Sequence, residues 1–333
     1  MKVLVTGATG FLGRHLIPQL IAAGHDVQAL VRPTSDTTFL KQNGVSLAVA
    51  PDISSKAEVA QACHGCDAVI HAAGQFRFWG KYDEFYQTNV AGTEAVLEGC
   101  TAAGVKKFVH VSTIAIAGRF PAGSLLDENH PPNPDENYQK TKYEGEQLAL
   151  QYGRDHDLDV VIIRPGAFYG PWGRYAFNRL FFEEPLRGWR IRVAGGRHIQ
   201  FPAFVPDVAQ GIVLGLQQGN AGEIYNICGE SMSHNACNDI VSDLAGIYRF
   251  RLPIAKFLVL ALAWSWTKLS IVTGREPFYP FNLRLYVFQD WHVSTEKAQK
   301  ELGFRPTPFE EGARETLTWY RESGILRVPW MKE

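Results

Sequence analysis

The 333-residue chain has few of the features that would set it apart from an ordinary globular protein. Its five cysteines are an odd number spread over a long chain. That argues against a disulfide framework and fits a reducing compartment. Cys63-His-Gly-Cys66 has redox-motif spacing but no second ligand pair, so it reads as chance spacing and no metal is expected. Lys and Arg (33) nearly balance Asp and Glu (34), giving a net charge of −1. The chain as a whole therefore has no electrostatic basis for binding nucleic acid. No repeat, low-complexity tract or flexible linker is present. No targeting segment is visible ahead of the first strand-like run, so a cytoplasmic location is the expectation. Long apolar runs are also scarce. The exception is 252–269, LPIAKFLVLALAWSWTKL, which is broken by Lys256, two hydroxyl residues and Lys268. Its uninterrupted part, Phe257 to Trp264, is far shorter than the roughly 18 residues that argue a membrane span. Three readings of it stay open: a buried or lid helix, a membrane-surface or partner-binding helix, and a true span. Peripheral membrane contact through 252–269 belongs to the second.

What the chain does have is concentrated at its start. Lys2 to Thr6 is a short apolar, β-branched run that suits a buried strand. It leads into Gly7-Ala-Thr9-Gly10-Phe11-Leu12-Gly13 and then an amphipathic stretch from Arg14. Strand, glycine-rich turn and helix in that order make the GxxGxxG spacing credible as a dinucleotide site. Gly7 permits a tight turn, Gly10 lets a pyrophosphate approach the backbone, and Gly13 lets the helix pack on the strand. The helix N-terminus supplies N–H groups to the phosphates. The second strand, 25–32, ends in Val31-Arg32 instead of the acid that usually accepts from a ribose 2′-OH. An arginine followed by Thr34 and Ser35 suits a 2′-phosphate, so NADP is expected in preference to NAD. The alternative is that Arg32 is a solvated loop residue.

Further strands are read at 45–50, 67–71, 106–113 and 159–164, separated by helical patterns. This predicts an α/β fold with a Rossmann-type, doubly wound parallel sheet. After about residue 170 the alternation weakens. The length allows two domains: a dinucleotide-binding domain at 1–170 and a smaller, mainly helical substrate-binding domain at 171–333, interleaved with the first. The fourth strand ends in Ala72-Ala73-Gly74, small residues that let backbone lie against a dinucleotide. The loop that follows carries Phe76, Phe78 and Trp79 where open α/β sheets bind ligands. Core filling is the competing reading of these rings.

The fifth strand ends in Ser112-Thr113, and one loop later Tyr138 and Lys142 stand four apart at the start of a helix. Residues i and i+4 share a helix face. A phenol titrates near pH ~10 in water. An ammonium roughly 4 Å away would favour the phenolate by up to about 4 kcal/mol at an effective dielectric of about 20. Tyr138 would then act as general acid/base. Thr113, or failing that Ser112, would hydrogen-bond the substrate oxygen.

Taken together, the chain resembles the extended short-chain dehydrogenase/reductase family. The resemblance rests on Gly7/Gly10/Gly13, Asp52, Ala72-Ala73-Gly74, Asn89, Ser112-Thr113, Tyr138/Lys142 and Arg164-Pro165-Gly166. It implies that Asp52, with Ile53, approaches the adenine and that Ala72, Ala73 and Gly74 line the cofactor channel with Asn89. It also implies that Lys142 binds the nicotinamide ribose and that Pro165 and Gly166 lie by the nicotinamide. Nucleotide-sugar enzymes of the family commonly grip the diphosphate with two arginines. Here those places read Gln200-Phe201 and Phe288-Gln-Asp-Trp291. The C-terminal half instead resembles the branch of 3β-hydroxysteroid dehydrogenases and dihydroflavonol-4-reductases. The expectation is an NAD(P)-dependent enzyme interconverting a ketone and a secondary alcohol on an apolar small molecule: steroid-, terpenoid-, flavonoid- or long-chain-like. Phe76, Trp79, Thr113, Phe168, Tyr169 and Trp172 would meet that substrate. The alternatives are a nucleotide-sugar epimerase or dehydratase with tightly held NAD, and a non-catalytic NAD(P)-binding regulator. The resemblance also implies a homodimer through helices of the 81–103 and 138–156 regions.

Overall fold

The computed structural model describes residues 1–326 and 328. The end of the expected second region, 327 and 329–333, lies outside the described residues.

Seven short parallel strands form the central sheet: β1 (Lys2–Thr6), β2 (Asp26–Val31), β3 (Ser46–Val49), β4 (Ala68–His71), β5 (Lys107–Val111), β6 (Asp159–Pro165) and β7 (Ile224–Ile227). Their spatial order is β7-β6-β5-β4-β1-β2-β3. β1 pairs with β2 on one side (Lys2 with Asp26) and with β4 on the other (Val3 with Ala68). The chain leaves β3 at one edge and returns through the sheet centre, so the crevice opens beyond the carboxyl ends of β1 and β4. The strands read as nearly continuous apolar runs because both faces are covered. Helices α1 (Gly13–Ala22) and α5 (Val205–Gln218) cover one face through Leu16, Ile17, Leu20, Val208 and Ile212. Helices α2 (Lys56–Cys63), α3 (Gly92–Ala103) and α4 (Asn137–Asp155) cover the other through Val59, Val96, Leu97 and Ala149.

The seventh strand, 224–227, lies beyond the point where the strand–helix alternation weakens in the sequence. It pairs with β6, Ile224 against Ile162, and becomes the edge of the main sheet. The remaining C-terminal elements include α6 (His234–Ala245), α7 (Lys256–Thr273), α8 (Glu296–Leu302) and α9 (Phe309–Glu322). An aromatic core of Tyr169, Phe177, Phe181, Phe182, Phe204 and Phe309 joins α6 and α9 to a small separate strand pair, 167–169 with 202–204. A further cluster, Phe78, Ile114, Phe201, Leu285, Tyr286 and Trp291, ties the loops above the sheet to the C-terminal segment.

The buried-core reading of the apolar stretch is overturned. In α7 only Ala263 and Ser270 are buried, while Phe257, Leu258, Leu262, Trp264, Leu269 and Val272 are exposed.

Candidate active site

The glycine turn is shaped by contact. Gly7 has φ +74, and a Cβ there would stand 2.7 Å from the Ala72 carbonyl oxygen. A Cβ on Gly13 would fall 2.2 Å from the Ala8 carbonyl oxygen, so α1 can approach β1 only through glycine. At Gly10 the nearest atom would be the turn's own Gly7 oxygen, at 3.2 Å, and the outer face is open. The amides of Phe11, Leu12 and Gly13 have no acceptor among the described residues. They are the donors a pyrophosphate takes. The buried Ser112 hydroxyl oxygen has no partner either. A cradle lined by glycine and small residues, with unclaimed donors at a helix start, fits a nicotinamide dinucleotide. Thr9 and Phe11 flank the turn half-buried and Leu12 is buried. Ile53 packs where a Cβ of Gly92 would lie, 2.5 Å from its Cγ2. Asp52 is exposed, and its carboxylate accepts from the Ser54 amide and hydroxyl. Arg32 is exposed beyond β2 and makes no ion pair among the described residues.

Beneath the channel lies a hydrogen-bond relay that the sequence did not reveal. The Ala73 amide donates to Thr6 Oγ1 (3.0 Å), and the Thr6 hydroxyl in turn donates to His71 Nδ1 (2.9 Å). His71 Nε2–H then donates to Thr93 Oγ1 (3.0 Å), whose proton goes to the Asn89 carbonyl (2.8 Å). The Thr93 proton is committed to Asn89, so Nε2 carries the His71 proton, and on a neutral ring Nδ1 is left to accept from Thr6. Burial pushes the His71 pKa down to about 3. The Asn89 side chain clamps Gln75 at both its amide (2.8 Å) and its carbonyl (3.2 Å), and donates to Thr141 (3.1 Å). The loop after β4 is thereby fixed to α4.

α4 starts just before Tyr138 because of its cap. The Glu136 carboxylate accepts from the amides of Tyr138 (2.9 Å) and Gln139 (3.1 Å), and the Gln139 side chain accepts from the Glu136 amide. This reciprocal pair is a capping box. The Tyr286 hydroxyl also donates to Glu136, at 2.8 Å. Desolvation pushes the Tyr138 phenol well above the ordinary range, opposed by the nearby Thr113 hydroxyl. Thr113 Oγ1 accepts from the Ala115 amide (3.2 Å) in the turn after β5. Lys142 is buried, and desolvation lowers its pKa to about 8, partly opposed by Glu146 one helical turn on. Its ammonium donates to the Val111 carbonyl at 2.6 Å rather than to Tyr138. A Cβ on Gly74 would lie 3.8 Å from Lys142 Nζ and 3.4 Å from Asn89 Oδ1, so Gly74, Asn89 and Lys142 share one wall. In this arrangement the Lys142 ammonium is committed to the Val111 carbonyl, and burial favours the Tyr138 phenol over the phenolate. Gly166 lies against Phe201 and Cys228, where a Cβ would fall 2.5 Å from the Phe201 carbonyl. Pro165 ends β6.

The expected substrate residues separate. The Phe76 ring lies 4.7 Å from the Tyr138 ring and 5.7 Å from Tyr175. Trp79 is half-buried in the same loop, and Phe78 is buried against Tyr175 and Tyr286. Phe168 lies against Phe11 of the glycine turn (6.2 Å). Trp172 is on that side too, with Arg14 over its ring at 4.4 Å. Its backbone is left-handed, φ 74, an uncommon conformation for so bulky a residue. The expectation for Tyr169 is corrected: it is 1% exposed and ringed by Phe177, Phe182, Phe204 and Phe309, so it is core. Sequence reasoning missed Tyr175 and Tyr286, which carry no motif and meet the site only through folding.

Glycine cradle, buried lysine and capped tyrosine lie together in the arrangement expected of a dinucleotide-dependent enzyme of the short-chain type. The model of the NAD dependent epimerase/dehydratase family matches residues 3–228, and the chain belongs to that family. It is 29% identical to sterol demethylase protein B of Methylococcus capsulatus, over 98% of this chain and 100% of that protein. It is 30% identical to 2-alkyl-3-oxoalkanoate reductase of Stenotrophomonas maltophilia (94% and 98%). It is equally 30% identical to dTDP-glucose 4,6-dehydratase of Streptomyces niveus (97% and 94%). Among solved structures, gox2253 aligns with a TM-score of 0.83 at 28% identity, covering 98% of this chain and 99% of that one. DesIV, a dTDP-glucose 4,6-dehydratase from Streptomyces venezuelae with NAD and TYD bound, aligns with a TM-score of 0.78 at 28% identity (98% and 99%). Binding of NAD or NADP fits both the geometry and these relatives, which include reductases and dehydratases alike.

Proposed function

We propose that this protein is an NADP-linked oxidoreductase that interconverts a ketone and a secondary alcohol on an apolar substrate. The carrying observation is the aromatic wall at the acid/base group: Phe76 stands 4.7 Å from Tyr138 and is backed by Tyr175 and Phe78. Two further features support it. Where a diphosphate-gripping arginine would stand, Gln200 donates to the Ile199 and Tyr286 carbonyls, and Phe201 stacks on Trp291 at 4.2 Å. Sugar dehydration also needs an acid or base beyond the tyrosine. Thr113 is instead followed by Ile114-Ala-Ile-Ala117, all buried and apolar.

The bound nicotinamide would supply or accept the hydride. Thr113 would orient the carbonyl oxygen, and the Tyr138 phenol would give it a proton. A phenol held protonated suits the reductive direction. Lys142 would keep a positive charge beside the ribose and the tyrosine. Arg32, free of carboxylate partners, would take the 2′-phosphate.

The similarity to dTDP-glucose 4,6-dehydratases carries the second reading, a nucleotide-sugar enzyme whose NAD never leaves. Mass spectrometry of nucleotide released on denaturation separates the two, together with turnover of apolar ketones by NADPH. An emptied, NADPH-preferring site with ketone turnover is the expected result. Stoichiometric NAD and activity confined to nucleotide sugars would overturn the proposal.

A further inference from the structure

Helix α7 poses a physical problem. It is apolar around its whole circumference, and a helix of that kind is normally buried in a core or in lipid. Here only one side is covered. Val259, Leu260 and Ala263 face a mainly apolar cavity of about 120 Å³, whose other walls include Phe181, Ile191 and Val287. The opposite side presents Phe257, Leu258, Leu262, Trp264, Leu269 and Val272 to water, each between 47% and 85% exposed. The apolar surface continues back along the chain through Leu252, Phe250 and Tyr248. It then crosses a strand pair, Leu252 against Ile191, toward the exposed Trp189. Contiguous exposed apolar surface of this kind marks an interaction site.

Charge selects the occupant. Between Tyr248 and Arg284 the chain carries six cations against a single acid, Glu276; Arg249 is paired with Asp243 and Arg251 is buried, which leaves Lys256, Lys268, Arg275 and Arg284 for the rim. The whole chain has a net charge of −1. Arg190, Arg192 and Arg197 add to this rim from the neighbouring segment. They make no ion pair among the described residues, nor do Lys256, Lys268 and Arg275. A second copy of this chain would bring the same positive rim against itself. Apolar and aromatic side chains bordered by cations are instead the pattern of a helix lying in the plane of an anionic membrane.

We propose that α7 and its basic rim seat the molecule flat on an anionic phospholipid bilayer, with the outward face of α7 in the acyl boundary. The segment after α7 then reaches the catalytic centre. Glu276 accepts from the Tyr175 hydroxyl at 2.5 Å, and the Tyr175 ring meets Phe76, which meets Tyr138. On the far wall of the cavity, Leu283 and Val287 flank Tyr286, which holds the Glu136 cap. The lipid-facing helix therefore borders the path to the acid/base group. Entry of substrate from the bilayer by this route rests on the apolar-substrate reading above; the docking surface does not.

The test is flotation of the full chain with phosphatidylcholine vesicles, with and without phosphatidylglycerol. Its readout is binding alone, so its failure is distinct from a failure of the ketone-reductase reading. The expected result is binding that needs phosphatidylglycerol and weakens with salt. Leu258→Glu with Leu269→Glu should weaken it by at least about tenfold. Both side chains point to water in the free protein, so the thermal transition should be unchanged. Lys268→Gln with Arg275→Gln leaves the apolar face intact and should weaken binding to the same vesicles. No flotation, or binding indifferent to phosphatidylglycerol, overturns the proposal. So does a lipid-free dimer that the Leu258/Leu269 variant abolishes, because the occupant would then be a second copy.

Discussion

At the scale of single residues, the proposed chemistry rests on two groups, and each gives a sharp expectation. Tyr138→Phe removes the proton donor but keeps the ring packed on Phe76. Loss of a positioned general acid costs about 10²–10⁴ in rate. Turnover should fall by that factor while nucleotide affinity, read by fluorescence titration, stays within about twofold; equal loss of both would make Tyr138 structural. Lys142 titrates near 8 because it is buried. Its positive charge is present below that pH and lost above it. The kcat/KM profile in the reductive direction should therefore decline as pH rises through about 8. Lys142→Arg should remove that decline, since a guanidinium stays charged. A decline unchanged in the arginine variant would assign it to another group. At Arg32, substitution by Ala should lower NADPH affinity about tenfold or more and leave NADH affinity unchanged, because a charge-assisted contact to a phosphate contributes roughly 1.5–3 kcal/mol.

At the scale of elements, α4 is the part on which the site depends. Tyr138, Lys142 and Glu146 recur every four residues, one face of one helix. Glu146 accepts two bonds from Arg164 of β6, at 2.6 and 2.9 Å, and both side chains are buried. The pair fixes the helix to the strand behind the lysine. Glu146→Gln would leave a buried guanidinium without its counter-charge, a loss of about 3–5 kcal/mol. Urea unfolding should show that loss, and Glu146→Leu with Arg164→Met should recover most of it. A single variant as stable as the parent would show the pair to be dispensable.

At the scale of the whole molecule, desolvation keeps three histidines neutral: His71 and His110, which are buried, and the half-buried His234. Desolvation holds His71 at about 3 and His234 at about 4, and holds His110, packed beside both His71 and Phe108, well below its ordinary range. The unfolded chain protonates these groups below about pH 6.5, whereas the folded chain does not. Where the unfolded state binds more protons, stability falls as pH falls. Each histidine contributes about 1.4 kcal/mol per pH unit across that window. Denaturant midpoints should therefore drop steeply from about pH 6.5 toward pH 4, with little change from pH 7 to 8. A flat profile below pH 6.5 would mean that the three histidines protonate within the fold.

The features legible in the sequence are those carried by neighbours in the chain. Apolar runs bounded by turns marked the sheet strands. Glycine spacing marked the cradle, where a Cβ at Gly7 or Gly13 would strike backbone, and four-residue spacing put Tyr138 and Lys142 on one face. Tertiary packing decided the rest. Tyr169 and Phe168 are one bond apart in sequence, yet one is core and the other lies at the glycine turn. Tyr175, Tyr286 and Glu276 reach the site from more than 35 residues beyond Tyr138, where no local pattern points to it. Ile224–Ile227 joined the main sheet because the edge of β6 was open to it. For α7, the composition fixed an apolar helix. Only the fold showed that one side covers a cavity and the other faces water, because exposure depends on what else packs there.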